Sequence, residues 1–127
     1  MSVMRHVVVL VLLFSCSLSQ ESNDRCEPLN IGTCREFGYT TVRFPNELGQ
    51  EHQKDAEDEL AMLADFIDTG CSKDLKLFLC SLYAPYCNST ALSVRPCRDL
   101  CLNVRDRCLT TIEAKGQDWP NMWRCGR

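Results

Sequence analysis

Nine of the ten cysteines in this chain stand after residue 25, as Cys26, Cys34, Cys71, Cys80, Cys87, Cys97, Cys101, Cys108 and Cys125. Ahead of them lie a short basic start with Arg5, an apolar run from Val7 to Phe14, and small residues at Ser17 and Ser19. That opening reads as a secretory signal peptide over residues 1–19. Its apolar run of eight residues falls far short of the ~20 that cross a bilayer, and the small residues suit a signal-peptidase site. An N-terminal membrane anchor or a buried helix is the competing reading. Thiols at this density outside the cell are held as disulfides rather than as free nucleophiles. The chain is thereby restricted to small folds stapled by sulfur. The count is odd, so one partner lies outside this chain or one thiol is free. Cys16 would leave with the signal peptide.

Cleavage leaves roughly a hundred residues, enough for one core and few enough to gain from covalent staples. The formal net charge is −3, and losing Arg5 makes it one unit more negative. There is no basic run, so neither nucleic acid nor an anionic membrane surface is an expected partner. No later stretch is long and apolar enough for a membrane span.

Residues 20–25 are polar and read as a flexible arm. From Cys26 to Phe44, Pro28, Gly32 and Gly38 punctuate short β-prone pieces such as residues 39–44, giving irregular chain with one or two short strands. Beyond Pro45, Ala56, Leu60, Leu63, Ala64 and Ile67 recur on one face of a helix that Gly70 ends. Glu47, Glu51, Asp55, Glu57, Asp58 and Glu59 crowd its early part, where the helix dipole favours anions, and form a solvated face. Ser72 can cap a second helix with Leu75, Phe78, Leu79 and Leu82 inward, closed by Pro85. Residues 88–95 read as a loop. Pro96 suits the first turn of a third helix. There Cys97, Cys101, Val104 and Cys108 share one stripe, extended by Ile112 up to Gly116. The class is mainly α, a small disulfide-rich helical domain with short β-strands near its N-terminus.

Catalytic and metal chemistry find little support. Zinc sites close through CxxC pairs or histidines, whereas the tightest spacing here is Cys97-x-x-x-Cys101 and the cleaved chain keeps one histidine, His52. A small secreted hydrolase would need a histidine beside a carboxylate and a Gly-rich calcium loop, or a serine in a GxSxG turn; neither is present. No enzyme activity, cofactor or metal is expected. Asn88-Ser89-Thr90 is an N-glycosylation acceptor in a predicted loop.

The segment Phe78-Leu79-Cys80-Ser81-Leu82-Tyr83-Ala84-Pro85-Tyr86-Cys87 resembles the "FLCSxYAPxC" signature of the Frizzled cysteine-rich domain. Cys26-Glu27-Pro28-Leu29 looks like its "CEPI" opening, Gly38-Tyr39 like "GYN", and residues 44–48 like "MPNxL". Residues 95–101 are similar to "PPCRxxC", and Asp118-Trp119-Pro120 with Cys125 to "WPxxxxC". The likeness spans Cys26 to Cys125, within a domain read as residues 26–127. It implies a compact helical domain in which Cys26 joins Cys87, Cys34 joins Cys80, Cys71 joins Cys108 and Cys101 joins Cys125. Spacing alone cannot choose among pairings. A tenth cysteine should follow Cys125 and pair with Cys97. This chain ends at Arg127, so the expectation is a domain truncated before that cysteine, with Cys97 unpaired.

The resemblance also implies a function. Frizzled-type domains bind Wnt proteins, lipid-modified secreted signals, through a groove for the fatty-acyl chain and a second patch that contacts a protein loop. Carried over residue by residue, the groove falls to Leu48, Leu82, Tyr83, Pro85 and Tyr86. The expected protein is secreted or on the extracellular side of the plasma membrane, as a receptor ectodomain or a soluble decoy. It is also a possible homodimer. The alternative is a secreted Frizzled-like interaction or sterol-binding domain that does not bind Wnt. Departures from the family pattern fall at residues 49–53, where "GHxTQ" is absent, and after Tyr39, where the usual sequon is missing.

Overall fold

The computed structural model describes residues 25–88 and 96–126. The signal peptide, residues 20–24 of the arm, and Ser89 and Thr90 of the sequon lie outside the described residues. Arg25, assigned above to the arm, instead opens strand β1 (Arg25–Pro28), which pairs antiparallel with β2 (Thr41–Phe44) in the register Arg25 opposite Phe44. Between them runs a 3-10 helix, Gly32–Phe37, closed by Gly38 at φ 84°. In β2 the alternation required of a half-buried strand is visible: Val42 and Phe44 face the core while Thr41 and Arg43 are half-exposed. Val42 also bridges to Tyr86, so the chain just past residue 83 is sewn onto the sheet.

Among the described residues four α-helices follow: α1 (Gln53–Met62), α2 (Ala64–Asp68), α3 (Leu75–Tyr83) and α4 (Arg98–Glu113). The single helix expected up to Gly70 is broken at Leu63, whose φ of −90° and ψ of 2° leave the helical basin. The break turns the chain: Ala56 and Leu60 are buried as expected, but Ala64 is exposed and Phe66 packs against the core in its place. Helix α3 is apolar nearly all round, with Leu75, Phe78, Leu79, Cys80, Leu82 and Tyr83 buried. A helix of that kind belongs at the centre of a domain. Each of its large side chains gives about 1.5–3 kcal/mol on burial. The N-cap position of α3 is Asp74, which makes no side-chain capping bond; Ser72, expected to cap the helix, instead closes the turn before it, its Oγ accepting the Asp74 N–H at 3.2 Å.

Cys101, Val104, Cys108 and Ile112 form the buried stripe of α4. Cys97 does not share it. It stands just before the helix, at φ −56° and ψ 137°, and is exposed. The extended backbone at the helix start turns its side chain off the stripe that the later cysteines follow. Among the described residues Cys97 makes no disulfide. Four bonds do form: Cys26–Cys87, Cys34–Cys80, Cys71–Cys108 and Cys101–Cys125. They tie β1 to the chain after α3, the 3-10 helix to α3, the α2–α3 turn to α4, and α4 to the C-terminal tail.

Candidate functional site

The local order around Asn46 comes first, because it holds the central helix in place. Asn46 is 6% exposed, and its side chain makes four hydrogen bonds. Oδ1 accepts the N–H groups of Leu48 and Gln50, closing a tight turn at 3.1 and 2.9 Å. Nδ2 donates to Gln50 Oε1 at 2.8 Å and to the Tyr83 carbonyl at 3.0 Å. The Asn-x-Leu portion of the "MPNxL" resemblance therefore has a direct physical reading: a clamp between the loop after β2 and the end of α3.

From that clamp a polar network runs inward. Gln50 Nε2 donates to Glu59 Oε2 at 2.6 Å, and the Tyr83 hydroxyl donates to Glu59 Oε1 at 2.8 Å. Trp123 Nε1 in turn donates to the Tyr83 oxygen at 3.2 Å. Burial first, and then the hydrogen bond to Glu59, push the Tyr83 phenol well above the usual tyrosine range; the bond from Trp123 opposes them. Tyr83 therefore stays a neutral donor. Around it, Phe66 stacks on Trp123 with centroids 6.2 Å apart, Phe78 on Trp119 at 5.8 Å, and the two indoles meet edge to face at 5.4 Å.

These rings underlie an open cleft of about 480 Å3. One wall is Glu59, Met62, Leu63 and Phe66 from α1 and α2; the other is Ile112 at the end of α4 with Pro120, Met122 and Trp123 of the tail. Met62 is 80% exposed and Met122 51%, so two large apolar side chains at this cleft are largely uncovered by the described residues. Its volume falls within the ~300–1,000 Å3 of ligand sites and its lining mixes apolar side chains with Glu59, Asp65, Lys115, Gln117 and Asp118, which makes it the candidate site. A second, smaller cleft of about 180 Å3 lies between Phe37, Tyr39, Leu77, Ala84 and Tyr86. Tyr39 meets Tyr86 edge to face, and its hydroxyl donates to the Ala84 carbonyl at 2.8 Å. Burial pushes the Tyr39 phenol up to about 12. Leu77 and Tyr86 are 36% and 46% exposed.

The five residues assigned to the groove by resemblance do not all line one of the two described clefts. Tyr83 lines the larger cleft and Tyr86 the smaller. Leu82 and Pro85 are buried, and Leu48 is half-buried against the core; these three line neither cleft. The sequence reading missed Met62, Phe66 and Met122. A signal for two of them exists: Glu59, Met62, Leu63 and Phe66 recur at steps of three, one and three, a second stripe beside the buried one. The acidic face was read as wholly solvated, and Glu59 departs from it by turning into the network. Asn88 is exposed at the edge of the described residues.

Residues 26–127 match the family model described as Fz domain. The chain is 35% identical to Frizzled-4 of Mus musculus over 120 residues, which is 94% of this chain and 22% of that protein. Protein mom-5 of Caenorhabditis elegans is 32% identical over 136 residues, covering 97% of this chain and 24% of its own length. The chain thus spans less than a quarter of the curated relatives it matches. Among solved structures, the crystal structure of the Smoothened CRD superposes with a TM-score of 0.65 at 27% identity, covering 84% of this chain and 91% of that one. The mainly helical, disulfide-braced architecture is shared with it. Among the described residues no helix is long and apolar enough to cross a membrane, and the Fz domain is an extracellular module in Frizzled proteins. The chain belongs to the Fz domain family and is a Frizzled-type cysteine-rich domain.

Proposed function

We propose that this domain is an extracellular ligand-binding module that captures Wnt proteins, seating the Wnt fatty-acyl chain in the cleft between α1–α2 and the C-terminal tail. The observation that carries this reading is the cleft itself, a trough lined by Met62 and Met122, both largely uncovered, and by Phe66 and Trp123. Each methylene drawn from water into it contributes ~0.8 kcal/mol, so a long acyl chain offers on the order of 10 kcal/mol before ordering costs. The smaller cleft, with Leu77 and Tyr86 exposed, suits the protein-loop contact that accompanies lipid capture in this family. Of the residues carried over by resemblance, Tyr83 forms part of the first surface and Tyr86 of the second. Asn88 carries the glycan, on the surface beside Cys87.

Binding of acylated and unacylated Wnt to the immobilised domain tests the proposal. Acylated Wnt binds more tightly. Met62→Asp and Met122→Asp each weaken that binding by roughly tenfold, about 1.4 kcal/mol. They leave the fold intact, because both side chains are largely in solvent. Tyr83→Asp is an unsuitable probe, since Tyr83 is 1% exposed and would take the core with it. Equal affinity for the two Wnt forms contradicts the proposal.

A further inference from the structure

The short run from Pro85 to Asn88 lies along β2 as extended chain. Arg43 donates its N–H to the Pro85 carbonyl at 3.0 Å, and Cys87 donates its own to the Thr41 carbonyl at 3.1 Å. These two bonds flank the Val42–Tyr86 bridge. The Thr41 hydroxyl donates to the Cys87 carbonyl at 2.6 Å, which fixes the peptide leading into Asn88. Cys87 is buried and bonded to Cys26, while Tyr86 and Asn88 on either side of it are exposed. Side chains two residues apart in extended chain share a face, separated by about 6.6 Å along the strand. Tyr86 and Asn88 are therefore neighbours on one exposed face.

The Tyr86 ring is 46% exposed, and Tyr39 meets it edge to face with centroids 6.2 Å apart. Tyr39 is itself tethered, its hydroxyl donating to the Ala84 carbonyl. The Tyr86 ring is thus steadied by a fixed neighbour while nearly half of it faces solvent. In the sequence, Asn88 opens the acceptor triplet Asn88-Ser89-Thr90. The sugar first attached to such an asparagine is N-acetylglucosamine, whose pyranose ring presents a face of C–H groups. The electron-rich face of a tyrosine ring attracts such groups. From this placement we propose that the first N-acetylglucosamine on Asn88 leans back onto Tyr86 and packs its apolar face against the ring. The inference rests on the reading that Asn88 carries a glycan, and adds where the sugar sits and what holds it. Tyr86 also lines the smaller cleft, so the sugar forms part of that cleft's border. A ligand entering there meets it as well as Leu77.

The test is a cycle on the domain secreted from a glycosylating cell line and trimmed enzymatically to a single N-acetylglucosamine. That material is compared with Asn88→Gln, in the wild-type background and in Tyr86→Leu. Mass spectrometry of the peptide containing Asn88 reads occupancy, and thermal denaturation with the disulfides intact reads stability. The sugar raises the folding equilibrium constant of the wild type by roughly fivefold, the scale of one aromatic contact. It leaves that of Tyr86→Leu nearly unchanged. Effects of the sugar on the unfolded chain, and of losing Asn88 itself, are common to both backgrounds and cancel across the cycle. A second measurement needs no variant: in the NMR spectrum of the trimmed wild type, the tyrosine ring current shifts the C–H protons of the sugar upfield. An equal gain in both backgrounds, or sugar protons at their free-sugar positions, overturns the inference and leaves Asn88 as a glycan site. An unoccupied Asn88 in the secreted wild type removes the reading that it carries a glycan, and this inference with it.

Discussion

Tyr83 shows how much one side chain can settle. Its backbone carbonyl is held by Asn46, its hydroxyl donates a hydrogen bond to Glu59 and accepts one from Trp123, and its side chain lines the larger cleft. A residue fixed at both ends in this way makes the cleft wall rigid before any ligand arrives. Tyr83→Phe keeps the ring but leaves the Trp123 N–H and one Glu59 oxygen without their partner. Unsatisfied buried polar groups cost about 1–3 kcal/mol. Urea denaturation of the oxidised domain should show a loss of that size with an unchanged slope, and a loss below half a kilocalorie would remove Tyr83 from the centre of the network. The residue-level signature was visible beforehand, because the "SxYAPx" and "PNxL" resemblances both point here. Its meaning was not. The resemblance assigns Leu48, Leu82 and Pro85 to a ligand; in the folded domain Leu82 and Pro85 are buried, Leu48 is half-buried, and Asn46 forms the clamp.

At the scale of elements, periodicity was a good guide where one face of a helix meets the core and a poor one where the chain bends. The stripe Cys101, Val104, Cys108 and Ile112 lies buried on α4 as the spacing demands. The break at Leu63 left no mark that composition reveals: no proline or glycine falls between Pro45 and Gly70 except Gly49. It accompanies the stacking of Phe66 on Trp123, a contact between residues distant in sequence. Cys97 was misplaced for a related reason, since a four-residue spacing to Cys101 says nothing about whether the helix has yet begun. The covalent ties act between these same elements. Cys34–Cys80 joins the short 3-10 helix to α3 across a sequence separation of 46. A 3-10 helix of six residues has little stability of its own, so it depends on that bond. The double substitution Cys34→Ser/Cys80→Ser should cost about 2–5 kcal/mol, measured by thermal or chemical denaturation against the wild type. A cost near zero would mean that packing of Ile31 and Phe37 holds the segment unaided.

Among the described residues, four disulfides and a core threaded by α3 frame a cleft beside the tail and a smaller one between Tyr39 and Tyr86. They are physically consecutive: Tyr83 lines the first, while Ala84 and Tyr86 line the second. One short stretch of chain thus contributes to both, and that stretch is the part of the sequence that most resembles the family. The fold class followed from cysteines and helical spacing, and the pairing from resemblance. The larger cleft escaped the sequence reading because its walls, Met62 and Phe66 on one side and Met122 and Trp123 on the other, are assembled only by folding. The most direct test of the account is to ask where an acyl chain goes. A fatty-acyl ester bearing a diazirine near its end, photolysed with the folded domain and mapped by mass spectrometry, should label Met62, Phe66 and Met122. Labelling confined to Phe37, Leu77 and Tyr86, or spread without preference over the surface, would contradict it.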